Sequence, residues 1–233
     1  MEIFLKEHLD NWVQKQHDEV EAYCSNSGSY LDEYKKCNLL KKIDLANSFT
    51  RDGWVDEEKW ENGPRVLYVL KEANVHRQLK DAEKESSVCA DKSIGFTDDF
   101  WYRHCILKKE ISWKRAIFRR LKKIGDEITG DSEFDLATTA YMNINKRGGM
   151  NNAREDIIAD YYKEYKNEIL EEIRILNPKI IAICCGEQGY AKDLKKAIKT
   201  QEWGKEITVK MYYHPAVRKK GITDGEYLKG INF

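Results

Sequence analysis

The chain has 233 residues, 41% hydrophobic and 34% charged, which is enough for one well-cored globular domain and too few for two of ordinary size without a visible linker. Forty basic residues balance forty acidic ones, so net charge alone does not announce a nucleic-acid partner. No eighteen-residue apolar run exists, and the opening MEIFLKEHLDNWVQKQ lacks the apolar core of a secretory signal, so a cytoplasmic protein without a membrane partner is expected.

In chain order, the spacing of Phe4, Leu5, Leu9, Trp12 and Val13 predicts an amphipathic helix from about residue 3 to 24. A Ser/Asn/Gly loop at 25–34, a helical stretch over roughly 31–46 and a turn-rich Trp54–Trp60 segment follow. Residues 1–60 therefore read as a helical extension on an α/β core spanning 64–220, all within a single domain of 1–233.

The core opens with a buried strand at Arg65–Leu70, then a long polar excursion over about 75–100. A basic amphipathic helix is predicted from about Ile111 to Ile128, with Trp113, Ile117, Phe118 and Leu121 on one face. Ala137–Met142 reads as the second strand, Arg147-Gly148-Gly149 as a turn, and about 152–176 as one long helix stopped by Asn177-Pro178. Lys179–Cys185 is the third strand, about 190–199 a helix and Ile207–Tyr213 the fourth strand. Strands alternating with helical crossovers predict a three-layer α/β/α fold around a mainly parallel four-stranded sheet.

In such sheets ligands bind beyond the carboxyl ends of the strands. Those ends deliver Glu72 and Asn74, then Asn143, Asn145 and Lys146, then Glu187 and Gln188, and finally His214. Singly, a glutamate there serves as a helix cap or ion-pair partner, an asparagine as a turn former, and a histidine before proline as a satisfied hydrogen-bonding group. Their convergence on one sheet edge marks a candidate site.

Six cysteines, at 24, 37, 89, 105, 184 and 185, include no pair with the two-residue gap of a metal knuckle. All read as free thiols, and no metal, iron–sulfur cluster or other cofactor is expected. Basic residues gather locally at Lys108-Lys109, Lys114-Arg115, Arg119-Arg120, Lys122-Lys123 and Arg218-Lys219-Lys220. These are solvated helix faces or a phosphate-binding surface.

At these residues the chain resembles the uracil-DNA glycosylase superfamily, and most of all the branch whose first motif is Gly-Glu-Ala-Pro-Gly. The matching stretches are Lys71-Glu72-Ala73-Asn74-Val75, Tyr141-Met142-Asn143-Ile144-Asn145-Lys146, the helix–strand run from Ile173 to Gly186, and His214-Pro215-Ala216. Order and approximate spacing agree over about 64–220. Lys71, Asn74 and Val75 stand where that branch has glycine, proline and glycine, and its cluster-binding cysteines are absent at the family spacing.

The resemblance implies a monomeric DNA glycosylase that flips a uracil-like or modified pyrimidine out of the stack and hydrolyses its N-glycosidic bond, in repair or in phage defence. It implies that Asn143 reads the base edge, with Asn145 and Asn74 beside it. His214 donates to the departing ring, and Glu72 orients water or stabilises the cationic sugar. Phe96, Phe100 or Trp101 would stack on the base, while Lys146, Arg147, Arg218, Lys219 and Lys220 contact DNA phosphates. Two other classes stay open: a non-catalytic nucleic-acid or nucleotide-binding module, and an N-glycoside hydrolase acting on free nucleotides.

Overall fold

The computed structural model describes residues 2–23, 31–32, 48–74, 105–107, 116–149 and 153–216. The expected helix over 31–46 and excursion over 75–100 fall largely outside them. The described elements, in order, are α1 (Glu2–Tyr23), β1 (Gly53–Trp54), α2 (Glu57–Asn62), β2 (Val66–Asn74), α3 (Ala116–Thr129), β3 (Thr139–Gly149), α4 (Glu155–Glu164), α5 (Lys166–Leu176), β4 (Ile180–Ile183), α6 (Gly189–Thr200) and β5 (Thr208–Met211). Among the described residues no helix is long and apolar enough to cross a membrane.

The chain divides into two compact units, one comprising Met1–Arg51, Lys71–Phe100 and Asn143–Ile175, the other Asp52–Leu70, Trp101–Met142 and Leu176–Phe233. The expected extension over 1–60 is thus shared between them. Strands β2 and β3 each contribute residues to both.

The second unit holds part of every strand of a mixed five-stranded sheet, in the order β1-β3-β2-β4-β5. β4 runs parallel to β2, with Val66 opposite Ile180, and parallel to β5, with Ile180 opposite Thr208. β1 pairs antiparallel with β3, Gly53 opposite Tyr141. Among the described residues the fold is therefore α/β as expected, but its sheet has five strands, not four, and is not all parallel. The added strand is two residues long, and a glycine followed by one tryptophan carries no alternating pattern to reveal it.

Patterning explains the rest of this sheet. Ile180-Ile181-Ala182-Ile183 is wholly apolar, rich in β-branched isoleucine and buried from Ile181 on, whereas Thr208-Val209-Lys210-Met211 alternates exposed and buried, as an edge strand with one wet face does. Two parallel strands cannot be joined by a tight turn, and α6 supplies the crossover between β4 and β5. Tyr68 stacks on Tyr141 with ring centroids 5.4 Å apart, and its hydroxyl donates to the Leu121 carbonyl of α3 at 2.7 Å. Asn177, with φ +49°, ends α5 in the left-handed conformation that asparagine tolerates. The amides of Lys179 and Ile180 then both donate to the Arg65 carbonyl, setting the parallel register.

The first unit is built on aromatic packing. Leu5, Leu9, Trp12 and Gln16 are buried on α1 at helical spacing. Trp12 lies edge-on to Phe49 (5.6 Å), stacked with Tyr161 (6.3 Å) and tilted against Tyr165 (5.8 Å). The long helix expected over 152–176 is two helices, because Tyr165 leaves helical dihedrals with φ −109° and ψ 23°. No glycine or proline marks that break. Instead Tyr165 is buried, and its hydroxyl donates to Glu19 of α1, a tertiary contact invisible to local pattern.

Candidate functional site

Both strands that carry the candidate residues run further than their apolar runs suggest. Lys71–Asn74 are strand rather than loop, and β3 continues through Gly149, buried at all eleven positions. Asn143, Asn145, Lys146 and Arg147 therefore lie within a strand instead of beyond its end. Polar residues continue a strand when tertiary partners accept them, and each has such partners here.

Glu72, half-buried near the end of β2, meets β3 at its carboxyl group. The Asn145 side-chain amide donates to Glu72 Oε2 at 3.1 Å and to the Gly148 carbonyl at 3.4 Å, while its oxygen accepts the Arg147 N–H at 3.0 Å. A Cβ built on Gly149 would lie 1.9 Å from Glu72 Cδ and Oε1, so only glycine leaves the carboxylate its place. Gly148 adopts φ +79°, a left-handed conformation natural to glycine, and its carbonyl takes the second amide hydrogen. Lys71, standing where the resembled branch has glycine, forms an ion pair with Glu155 of α4.

Asn145 is fully buried and its amide engages three protein groups. This corrects the expectation that it contacts a base. Both amide hydrogens are spent inside the protein, leaving it no donor to read a pyrimidine edge. Asn143 is 4% exposed within β3. Asn74 closes β2.

Lys146 and Arg147 are corrected as well. Both are fully buried, Lys146 paired with Glu172 at 2.8 Å and its ammonium 5.3 Å from the Trp12 ring centroid. Arg147 donates to Glu19 at 3.0 Å and to the Gln16 carbonyl at 3.3 Å. A fully buried cation matched by a carboxylate of the same protein does not contact a DNA phosphate. Sequence shows the two basic residues but not the acids that neutralise them from distant helices. The Lys146 charge also bears on His8, whose imidazole is held below its ordinary value, first by burial and then by that ammonium, against the Glu168 carbonyl that it contacts at 3.0 Å.

His214 follows β5 in the second unit, half-buried ahead of a buried Pro215. The Ala216 N–H donates to His214 Nδ1 at 3.3 Å. Nδ1 is thus the acceptor nitrogen, and a neutral ring carries its hydrogen on Nε2. The loop is held by Arg120 of α3, 7% exposed, which donates to the Pro215 carbonyl at 3.1 Å. In sequence Arg120 belongs to the basic pair Arg119-Arg120, which reads as a solvated helix face or a phosphate-binding surface. Its signal as a loop anchor is its position on the buried face of α3, one helical step from Leu121 and Ile124.

At the end of β4, burial and the neighbouring Cys185 push the Cys184 thiol well up, so Cys184 packs as apolar sulfur rather than as a nucleophile, and the buried Cys185 thiol donates to the Val69 carbonyl at 3.7 Å. Glu187 beyond it is exposed and accepts the Tyr213 hydroxyl at 3.1 Å. Among the described residues, His17, Asp18 and Glu21 of α1 bring ligand atoms within 4.8 Å of one another, but both carboxylates are exposed and read as a solvated helix face. Phe96, Phe100, Trp101, Arg218, Lys219 and Lys220 lie outside the described residues.

No family model, curated protein or solved structure matches the chain.

Proposed function

We propose that the protein is an N-glycosidic bond hydrolase acting on a uracil-like or modified pyrimidine in DNA, with the three-layer fold of the uracil-DNA glycosylase superfamily. The observation that carries this reading is the orientation of His214. With Nδ1 accepting the Ala216 amide, the neutral ring carries its hydrogen on Nε2, the tautomer that donates to a pyrimidine O2 as negative charge develops there.

In this reading water adds to C1′ of the sugar, and the base departs with the electron pair of the broken N–C1′ bond. Glu72 orients that water or stabilises the cationic sugar, and Asn143 pairs with the base edge. Parallel pairing of β2, β4 and β5, with polar residues ending β2 and His214 following β5, supports the architecture. DNA is the expected partner and a monomer the expected state.

A second reading is favoured by Lys146 and Arg147. Their charges are satisfied internally, which takes two cations from any DNA-binding face of a chain whose net charge is zero. An N-glycoside hydrolase acting on free nucleotides needs less of that face. Mass spectrometry of bases released from uracil-containing and modified-pyrimidine oligonucleotides, single- and double-stranded, and from free nucleosides and nucleotides separates the two. Release from DNA, reduced about 10²–10³-fold in kcat by His214→Ala, is the expected result. Release from nucleotides alone selects the second reading, and release from no substrate refutes both.

A further inference from the structure

We propose that Asn145 is a positioning residue for Glu72: its amide fixes the carboxylate, and the missing side chain of Gly149 makes the room. The contact stands on its own geometry, while its bearing on chemistry rests on the glycosidase reading above.

The amide cannot serve in the opposite orientation. Its nitrogen faces two acceptors, Glu72 Oε2 and the Gly148 carbonyl, and its oxygen faces one donor, the Arg147 N–H. Turning it over would set oxygen against two oxygens and nitrogen against an N–H, so three favourable contacts would become repulsive. The donor face is locked toward Glu72 by groups of the same strand. Asn145 is fully buried, so water does not compete for those hydrogens.

A hydrogen bond to a carboxylate favours its charged form. It also removes rotational freedom, and a group that aims water works only when its oxygens are held. Gly149 acts on the same carboxylate from another side. A Cβ there would come within 2.2 Å of Oε2 and closer to Cδ, so any other residue drives the carboxylate away from the amide. Two features separated in character, a donor and a space, meet on one functional group.

The test reads Glu72 directly, by ¹³C NMR titration of side-chain carboxyls in the full-length protein, with the Glu72 signal identified by its loss in Glu72→Gln. Asn145→Ala is expected to raise the Glu72 midpoint by about one pH unit, the scale of one charge-assisted hydrogen bond. Asn145→Asp should raise it further, because a second carboxylate then faces the first. Gly149→Ala should raise it too, and adding Asn145→Ala to that variant should change nothing more. Folded Asn145→Ala or Gly149→Ala protein whose Glu72 titrates as in the wild type overturns the proposal. Should the Asn145 variants not fold, the Gly149→Ala titration decides.

The catalytic half is read on a uracil-containing single-stranded oligonucleotide. kcat of Asn145→Ala should fall with KM unchanged, and the acid limb of its pH profile should move up by the interval seen in the titration. An unmoved limb with equal losses in kcat and thermal stability would show a merely structural residue. A wild-type protein that releases no base defeats the glycosidase reading alone, and the titration still decides the clamp.

Discussion

The two halves of β2 and β3 are made of different material. Val66–Leu70 and Thr139–Met142, in the second unit, are buried, mainly apolar and stacked through Tyr68 and Tyr141. Their continuations in the first unit carry Glu72, Asn143, Asn145, Lys146 and Arg147, the last two matched by Glu172 and by Gln16 and Glu19. The apolar half is stabilised by volume, which tolerates small rearrangement. The polar half is stabilised by matching, since each buried polar group without a partner costs about 1–3 kcal/mol and a charge costs more. One strand pair thus holds a robust end and an exacting end, and Glu72 and Asn143 lie on the exacting one.

The difference is sharpest at Lys146 and Glu172. Glu172→Gln, which strands a buried ammonium, should cost about 3–5 kcal/mol in urea unfolding, whereas Lys146→Met with Glu172→Leu should recover most of it. Equal losses in the single and double variants would mean that volume, not charge matching, governs this region too. Beside the apolar half, on β4 opposite Leu67, Ile181→Ala should cost about 3 kcal/mol through the cavity it leaves, and Ile181→Val only about 1.

Arg120 is an island of matching within the second unit. Arg120→Ala should lose about 2 kcal/mol by abandoning the buried Pro215 carbonyl, and should loosen the His214 loop, seen as faster amide exchange at Ala216.

The smallest effect is His8. Burial and the Lys146 charge lower its folded value, while Glu171 and the contacted Glu168 oppose them. The unfolded chain takes up a proton near pH 6.5 while the folded chain does not, so stability is unaffected above that pH and falls as pH drops below it. His8→Gln should flatten that decline in urea midpoints measured between about pH 7 and 5. A decline that persists unchanged would assign it to other groups.

Sequence made the helices and the apolar half legible for a physical reason. Burial of aliphatic faces imposes a period, as at Leu5, Leu9 and Trp12 or in the run Ile180–Ile183, and a period survives in one dimension. Glu72 and His214 were legible as polar groups following such runs. What eluded reading was pairing. Nothing near Asn145 says that its amide faces a carboxylate 73 residues away, nor near Lys146 that an acid lies 26 residues on. A lysine whose counter-ion arrives from another helix reads in sequence as a free surface charge. The break at Tyr165 was hidden for the same reason, because its determinants sit on α1.

Gly149 has a consequence for how this protein can change. Because any side chain there displaces the Glu72 carboxylate, the two positions form one heritable character rather than two. A lineage that acquires a side chain at 149 must swing the acid at 72 to a new position, away from the Asn145 amide. Variation at the glycine that closes β3 thus becomes a record of where the acid on the neighbouring segment was held.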